Sequence, residues 1–166
     1  MTAPAQTATE RDLRWLRHAI ALSVQAKARG THPFGALVVG VDDVIIAEAG
    51  NAFGWPDGDC TGHAELIALR EASRRIPPER LALATLYTSA EPCVMCAGAV
   101  YWSGVSRVVY ALSETRLLLL TGNHPENPTL SLPCRDVFAH GQRHIDVLGP
   151  LIEDEAALPH AGFWNT

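Results

Sequence analysis

Apolar residues at Leu13, Leu16, Ala19, Ile20, Val24 and Ala28 recur at helical spacing, which predicts a helix from Asp12 to about Arg29, stopped by Gly30. The pattern then changes. Ala36–Val41 and Val44–Ala49 are short apolar, β-branched runs joined by Asp42-Asp43, the signature of an antiparallel hairpin. A polar, glycine-rich stretch from Gly50 to Gly62 leads into a second helix, His63 to about Arg75, which Pro77-Pro78 ends. Leu83–Ser89 reads as a strand, Val94–Trp102 as a helix and Arg107–Leu112 as another strand. Beyond Ser113 the signal weakens to a short helical piece and a loop holding Pro125, Pro128 and Pro133. A last strand near Ile145–Leu148 and a C-terminal helix follow. Strands alternating with helices predict an α/β sandwich whose helices cover a central sheet. One domain is expected over residues 1–166, with 1–10 as a disordered tail and 150–166 as a helix and aromatic lid carrying Phe163 and Trp164.

Composition narrows the class. At 166 residues, 48% hydrophobic and 19% charged, the chain reads as a soluble globular domain. Its longest apolar run, Leu117–Leu120, is far below membrane-spanning length, so no membrane partner is expected. Met1–Glu10 lacks the apolar stretch of a secretory leader, which points to a cytoplasmic setting with the cysteines reduced. A net charge of −5 disfavours, without excluding, a nucleic-acid partner. The clusters Arg11, Arg14, Arg17 and Arg70, Arg74, Arg75, Arg80 read as solvated helix faces.

Two short motifs carry the chemistry. His63-Ala64-Glu65 and Pro92-Cys93-Val94-Met95-Cys96 each open a predicted helix. One imidazole and two thiols supply three ligands for zinc and leave the fourth tetrahedral position open, the mark of a catalytic site. Helix N-termini favour thiolates, a spacing of three sets Cys93 and Cys96 on one face of a turn, and Pro92 suits a first-turn position. Glu65 is placed to take a proton from a zinc-activated water and deliver it to a ring nitrogen and departing ammonia. Either half alone is weak. Together and in this order they match the H-x-E…P-C-x-x-C pattern of nucleobase deaminases. A structural zinc would instead need a fourth protein ligand, for which Cys60 and Cys134 are the candidates.

From Arg17 to Ser113 the chain resembles the cytidine-deaminase superfamily, in its nucleobase and tRNA-adenosine branch. The matching stretches are Pro33-Phe34-Gly35-Ala36, Asn51, Thr61–Glu65, Leu86–Ser89 and Glu91–Ala99. The resemblance implies a three-layer α/β/α sandwich around a five-stranded mixed sheet, one Zn2+ per subunit and a homodimer or larger assembly. It implies that His63, Cys93 and Cys96 bind the metal, that Glu65 is catalytic and that Asn51 hydrogen-bonds the substrate. It also implies a backbone contact from Ala64 or Cys93 and a place for Phe34 near the floor of the base site. Trp102 and Trp164 are further candidates for substrate contact.

The substrate is open at this stage. Glu91–Ala99 is similar to the bacterial tRNA adenosine deaminases, whereas Pro33–Ala36 and Tyr101-Trp102 are similar to guanine deaminases. The tail here, Glu153-Asp154-Glu155…Phe163-Trp164, is acidic and aromatic where the tRNA enzymes are basic. Leu118–His124 lacks the phenylalanine and paired aspartates of the guanine enzymes; Ser113, Glu114, Asn123 and His124 could replace them. The first expectation is a small-molecule aminohydrolase acting on a base or nucleoside, guanine-type purines first. A tRNA adenosine deaminase and a non-catalytic zinc module are the alternatives. His32, His140, His144 and His160 read as surface or hydrogen-bonded histidines.

Overall fold

The computed structural model describes residues 7–54 and 58–164. Five strands form one mixed sheet in the order β2-β1-β3-β4-β5. They are β1 (Gly35–Val39), β2 (Ile45–Gly50), β3 (Thr85–Ala90), β4 (Arg107–Leu112) and β5 (Asp146–Leu148). β1 is antiparallel to both β2 and β3, while β3, β4 and β5 are mutually parallel. The hairpin turn is closed by Asp43 at φ +64°, whose carboxylate also takes Arg11, Arg14 and the Trp15 indole from the first helix.

Both faces of the sheet are covered, which is why the central strands read as unbroken apolar runs. On one face Leu37, Val39, Tyr87, Val109 and Ala111 meet Leu16, Ala19 and Leu22 of α1 (Glu10–Ala28). On the other, Ala36, Val38, Leu86, Val108 and Tyr110 meet α2 (Ala64–Arg75) and α4 (Val94–Ser103) through Ala68, Leu69, Ala72, Ala97 and Val100. Neighbouring residues of each strand thus serve opposite cores, and the result is the expected three-layer sandwich. Gly35 is required by proximity: a Cβ there would lie 2.4 Å from the Ala19 carbonyl of α1.

Several elements differ from the sequence pattern. Thr9 caps α1 through a reciprocal box with Asp12, so order begins before the tail was expected to end; residues 1–6 lie outside the described residues. Pro77 and Pro78 also start a single-turn helix, α3 (Pro78–Leu81). After α5 (Glu114–Thr121), the proline-containing loop leads into α6 (Cys134–Ala139), too short for a periodic signal. The C-terminal helix is α7 (Glu153–Ala157), prolonged by a 3-10 turn, Leu158–His160.

Asp12 ties α1 to the sheet. Its buried carboxylate accepts from Thr9 Oγ1 at 2.8 Å, Tyr87 OH at 3.0 Å and both terminal nitrogens of Arg107 at 2.7 and 3.1 Å. Burial alone would raise its pKa, but the hydrogen bonds from Arg107 and Thr9 hold it well below the usual carboxylate range. A carboxyl with a depressed folded pKa stabilises the fold above its unfolded value, about 4, and loses that contribution as pH falls below it. Asp12→Ala should cost about 3–5 kcal/mol in urea unfolding, because Arg107 is left without its partner. A loss under about 1 kcal/mol would show that the pair is dispensable.

Candidate active site

Because β2, β3 and β4 share one direction and β1 runs against them, their carboxyl ends and the start of β1 lie along one sheet edge. The connections to α2, α4 and α5 leave from that edge, and Phe34 arrives there. Ligands of open α/β sheets bind at such an edge.

His63 is the N-cap of α2 and Cys93 the N-cap of α4. These positions favour Ser, Thr, Asp or Asn, whose side chains bond the first-turn N–H groups; neither residue makes such a bond here. Their side chains converge instead. His63 Nδ1 lies 3.5 Å from Sγ of both Cys93 and Cys96. The three ligand atoms fall within 4.8 Å of one another. Tetrahedral zinc, with Zn–S near 2.3 Å and Zn–N near 2.05 Å, separates N and S by about 3.6 Å. The donor set therefore fits zinc. Cys60 and Cys134 do not join the group, and no other such cluster occurs among the described residues, so a fully protein-ligated structural zinc lacks its fourth donor. The hydrogen bond from Cys96, opposed by burial and aided by His63, draws the Cys93 thiol down to about 4. Pro92 precedes the cap and so sits just outside α4 rather than in its first turn.

Glu65 lies in the first turn of α2, 5% exposed, with Oε1 accepting from Thr88 Oγ1 at 2.9 Å. Its Oε2 is 3.6 Å from Cys96 Sγ. Burial raises the pKa of this carboxyl, which suits a group that must carry a proton for part of a cycle. Ala64, the first residue of α2, has one of the N–H groups that a helix start leaves without an intrahelical partner.

An inner cavity of about 60 Å3 adjoins His63 and Cys93 and is also lined by His32, Phe34, Asn51, Glu65, Glu91, Glu114, Leu117, Glu126 and Asn127 among others. It opens into an outer vestibule of about 640 Å3 walled by Phe53, Met95 and the 125–130 loop. Asn51 Oδ1 accepts from the Phe53 N–H at 2.8 Å, which leaves its amide N–H2 to face the cavity. Glu114 is the first residue of α5; burial, then the nearby Cys93 and Glu91 charges, raise its carboxyl to about 7.

Two aromatic candidates stand elsewhere. Trp102 closes α4 at 79% exposure and faces a separate groove with Ile76 and Leu81. The helix that starts at Cys93 carries its far end away from the site by about 1.5 Å per residue. Trp164 is buried one layer behind the cavity, donating to His160 Nδ1 at 3.1 Å. Its ring packs on Phe34 and His32, whose centroids lie 6.2 and 5.0 Å away. The C-terminal aromatics thus buttress the wall of their own chain's cavity. His32 is of the hydrogen-bonded kind: it is buried, contacts Glu126 at 2.9 Å and forms part of that wall. Glu91, read only as part of a motif, accepts the N–H groups of Glu114 and Cys134 at 3.1 Å each and so joins the starts of α5 and α6.

Residues 9–112 match the model of the cytidine and deoxycytidylate deaminase zinc-binding region. The chain belongs to that deaminase family. A protein described as a probable cytosine deaminase of Schizosaccharomyces pombe is 46% identical over 159 residues, 95% of this chain and 94% of the relative. A tRNA-specific adenosine deaminase of Haemophilus influenzae is 40% identical over 110 residues, 66% of this chain and 63% of the relative. The solved guanine deaminase from Nitrosomonas europaea superposes with TM-score 0.73 at 26% identity, covering 99% of this chain and 90% of the other. The deaminase is a zinc-dependent enzyme of nucleobases or nucleosides, with His63, Cys93 and Cys96 as its metal-binding group. No helix of the described residues is long and apolar enough to cross a membrane.

Proposed function

We propose that this deaminase acts on a free nucleobase, and that the base is cytosine, converted with water to uracil and ammonia. The inner cavity carries this reading: about 60 Å3 beside His63 and Cys93 is room for roughly four waters, the scale of a single small heterocycle. The Asn51 amide offers a donor to a ring carbonyl, and Phe34 gives the ring an apolar face. Similarity to the S. pombe relative runs through the C-terminal segments that close the cavity, whereas the tRNA deaminase matches only about two thirds of the chain. His63, Cys93 and Cys96 would hold the zinc, which would supply Lewis acidity and lower the pKa of water. Glu65 takes one proton from the attacking water and gives it to the ring nitrogen, then takes the second from the added hydroxyl and gives it to the leaving amine, so that ammonia departs as the carbonyl forms. Ala64 offers its backbone N–H toward the reacting centre.

Guanine is the second reading, favoured by the near-complete superposition on the Nitrosomonas enzyme. The absent phenylalanine and paired aspartates place it after cytosine. Arginines that could grip tRNA are engaged: Arg11 and Arg14 with Asp43, Arg17 with Glu155, Arg74 with Glu71. We also propose a homodimer in the cytoplasm. Met95 and Trp102, seven residues apart on α4, expose 38% and 79% of their surface as an apolar stripe suited to a second copy.

Ammonia release by the zinc-loaded protein from cytosine, guanine, adenine and their nucleosides tests the substrate assignment. Cytosine should be turned over best among the set. Activity confined to guanine would move the assignment to the second reading. Turnover of tRNA adenosine, with silence on all free bases, would overturn both.

A further inference from the structure

We propose that Glu114 selects a free base over its nucleoside by accepting a hydrogen bond from the ring N–H that glycosylation removes. This inference rests on the reading of the site as a base deaminase. The carboxylates on the cavity wall differ in one respect. Glu65 accepts from Thr88, Glu91 from two backbone N–H groups and Glu126 faces His32. The Glu114 carboxylate accepts from no other described residue, although half-buried against the inner cavity.

Its backbone, by contrast, is fixed on both sides. The Glu114 N–H donates to Glu91 Oε2 at 3.1 Å, and Ser113 donates from its N–H and hydroxyl to Glu153 Oε1 at 2.9 and 2.7 Å. Ser113 Oγ in turn accepts from the Arg116 N–H, closing the first turn of α5. A carboxyl on a fixed backbone, lining the cavity and without a donor among the described residues, is matched by a ligand that brings one. The cavity then offers a donor from Asn51 and an acceptor from Glu114, complementary to a carbonyl flanked by a ring N–H. Cytosine carries that pair at O2 and N1–H; cytidine has lost the N–H to its sugar.

The test compares cytosine with 1-methylcytosine, whose small methyl group removes the N–H without adding a sugar. The zinc-loaded full chain should prefer cytosine in kcat/KM by about 10²–10⁴-fold, as sites built around a buried hydrogen bond do. In Glu114→Ala, cytosine should lose about the same 10²–10⁴-fold and 1-methylcytosine less than about threefold, so the preference collapses. Titration calorimetry with uracil and 1-methyluracil should show the same collapse in affinity, independently of turnover. Glu114→Leu, of similar size and without an acceptor, replaces the alanine variant if that one fails to fold. Zinc content is measured for each protein. An undiminished preference in the folded variants, or none in the parent, would overturn the role of Glu114 while leaving base deamination standing. If the parent acts only on guanine, guanine and its N-methyl derivatives replace the pyrimidine pair. A parent inactive on every free base would overturn both readings.

Discussion

Glu65→Gln should lower kcat for deamination by about 10²–10⁴-fold while zinc stays bound and the protein stays folded. Glutamine keeps the shape of the side chain and its contact with Thr88, but it has no carboxylate to receive a proton. General acid–base catalysis contributes about that range, and two features of the site favour its upper part. Glu65 is enclosed by protein, so no bulk water stands in for it. The ring nitrogen and leaving amine also both need protons in one cycle, and the inner cavity offers no better placed donor. The other carboxyl groups of the wall hold backbone, face His32, or stand at the start of α5. Steady-state rates alongside metal analysis provide the check. A variant with full zinc and wild-type kcat would refute the role of Glu65.

Cys96→Ala should empty the metal site and stop turnover altogether. Cys96 is buried, and its sulfur completes a three-donor set with His63 and Cys93. Two remaining donors cannot hold the ion against a chelator. Zinc held at a thousand times its dissociation constant stabilises a fold by about 4 kcal/mol, so the melting temperature should fall by about 10 °C in a domain of this size. Metal content by mass spectrometry and melting by calorimetry, each repeated on chelator-treated parent protein, measure the two effects. Stoichiometric zinc in the variant would show that a different cluster holds it.

Much of this molecule could be read from its residues. Long-range order was legible wherever periodicity was long: α1, the hairpin, α2, β3, α4 and β4 lie within a few residues of their predicted places. The metal group was legible because its chemistry admits few residue types and its halves carry fixed spacing. Short elements were not. α3 and α6 hold four and six residues, fewer than two helical turns, and leave no periodic trace. The wall of the cavity was only partly legible, for a different reason. Glu91, His32 and Glu126 act by meeting partners distant in the chain, and a hydrogen bond spanning 94 residues, His32 to Glu126, has no local signature. Trp102 and Trp164 were over-read. An aromatic residue near a motif in sequence need not be near it in space, and a helix ten residues long carries Trp102 clear of the chemistry that begins it.

The three metal donors come from segments 30 residues apart, brought together because β1 lies between the strands that precede them. A nascent chain presents the cysteine pair without the histidine until that central pairing exists. The two apolar cores, meanwhile, contain none of the donors. Folding can therefore run to completion before the ion arrives, unlike a zinc finger, in which metal and fold appear together. A cell short of zinc would hold this enzyme as a dormant, native pool, ready to be switched on by supply rather than by new synthesis.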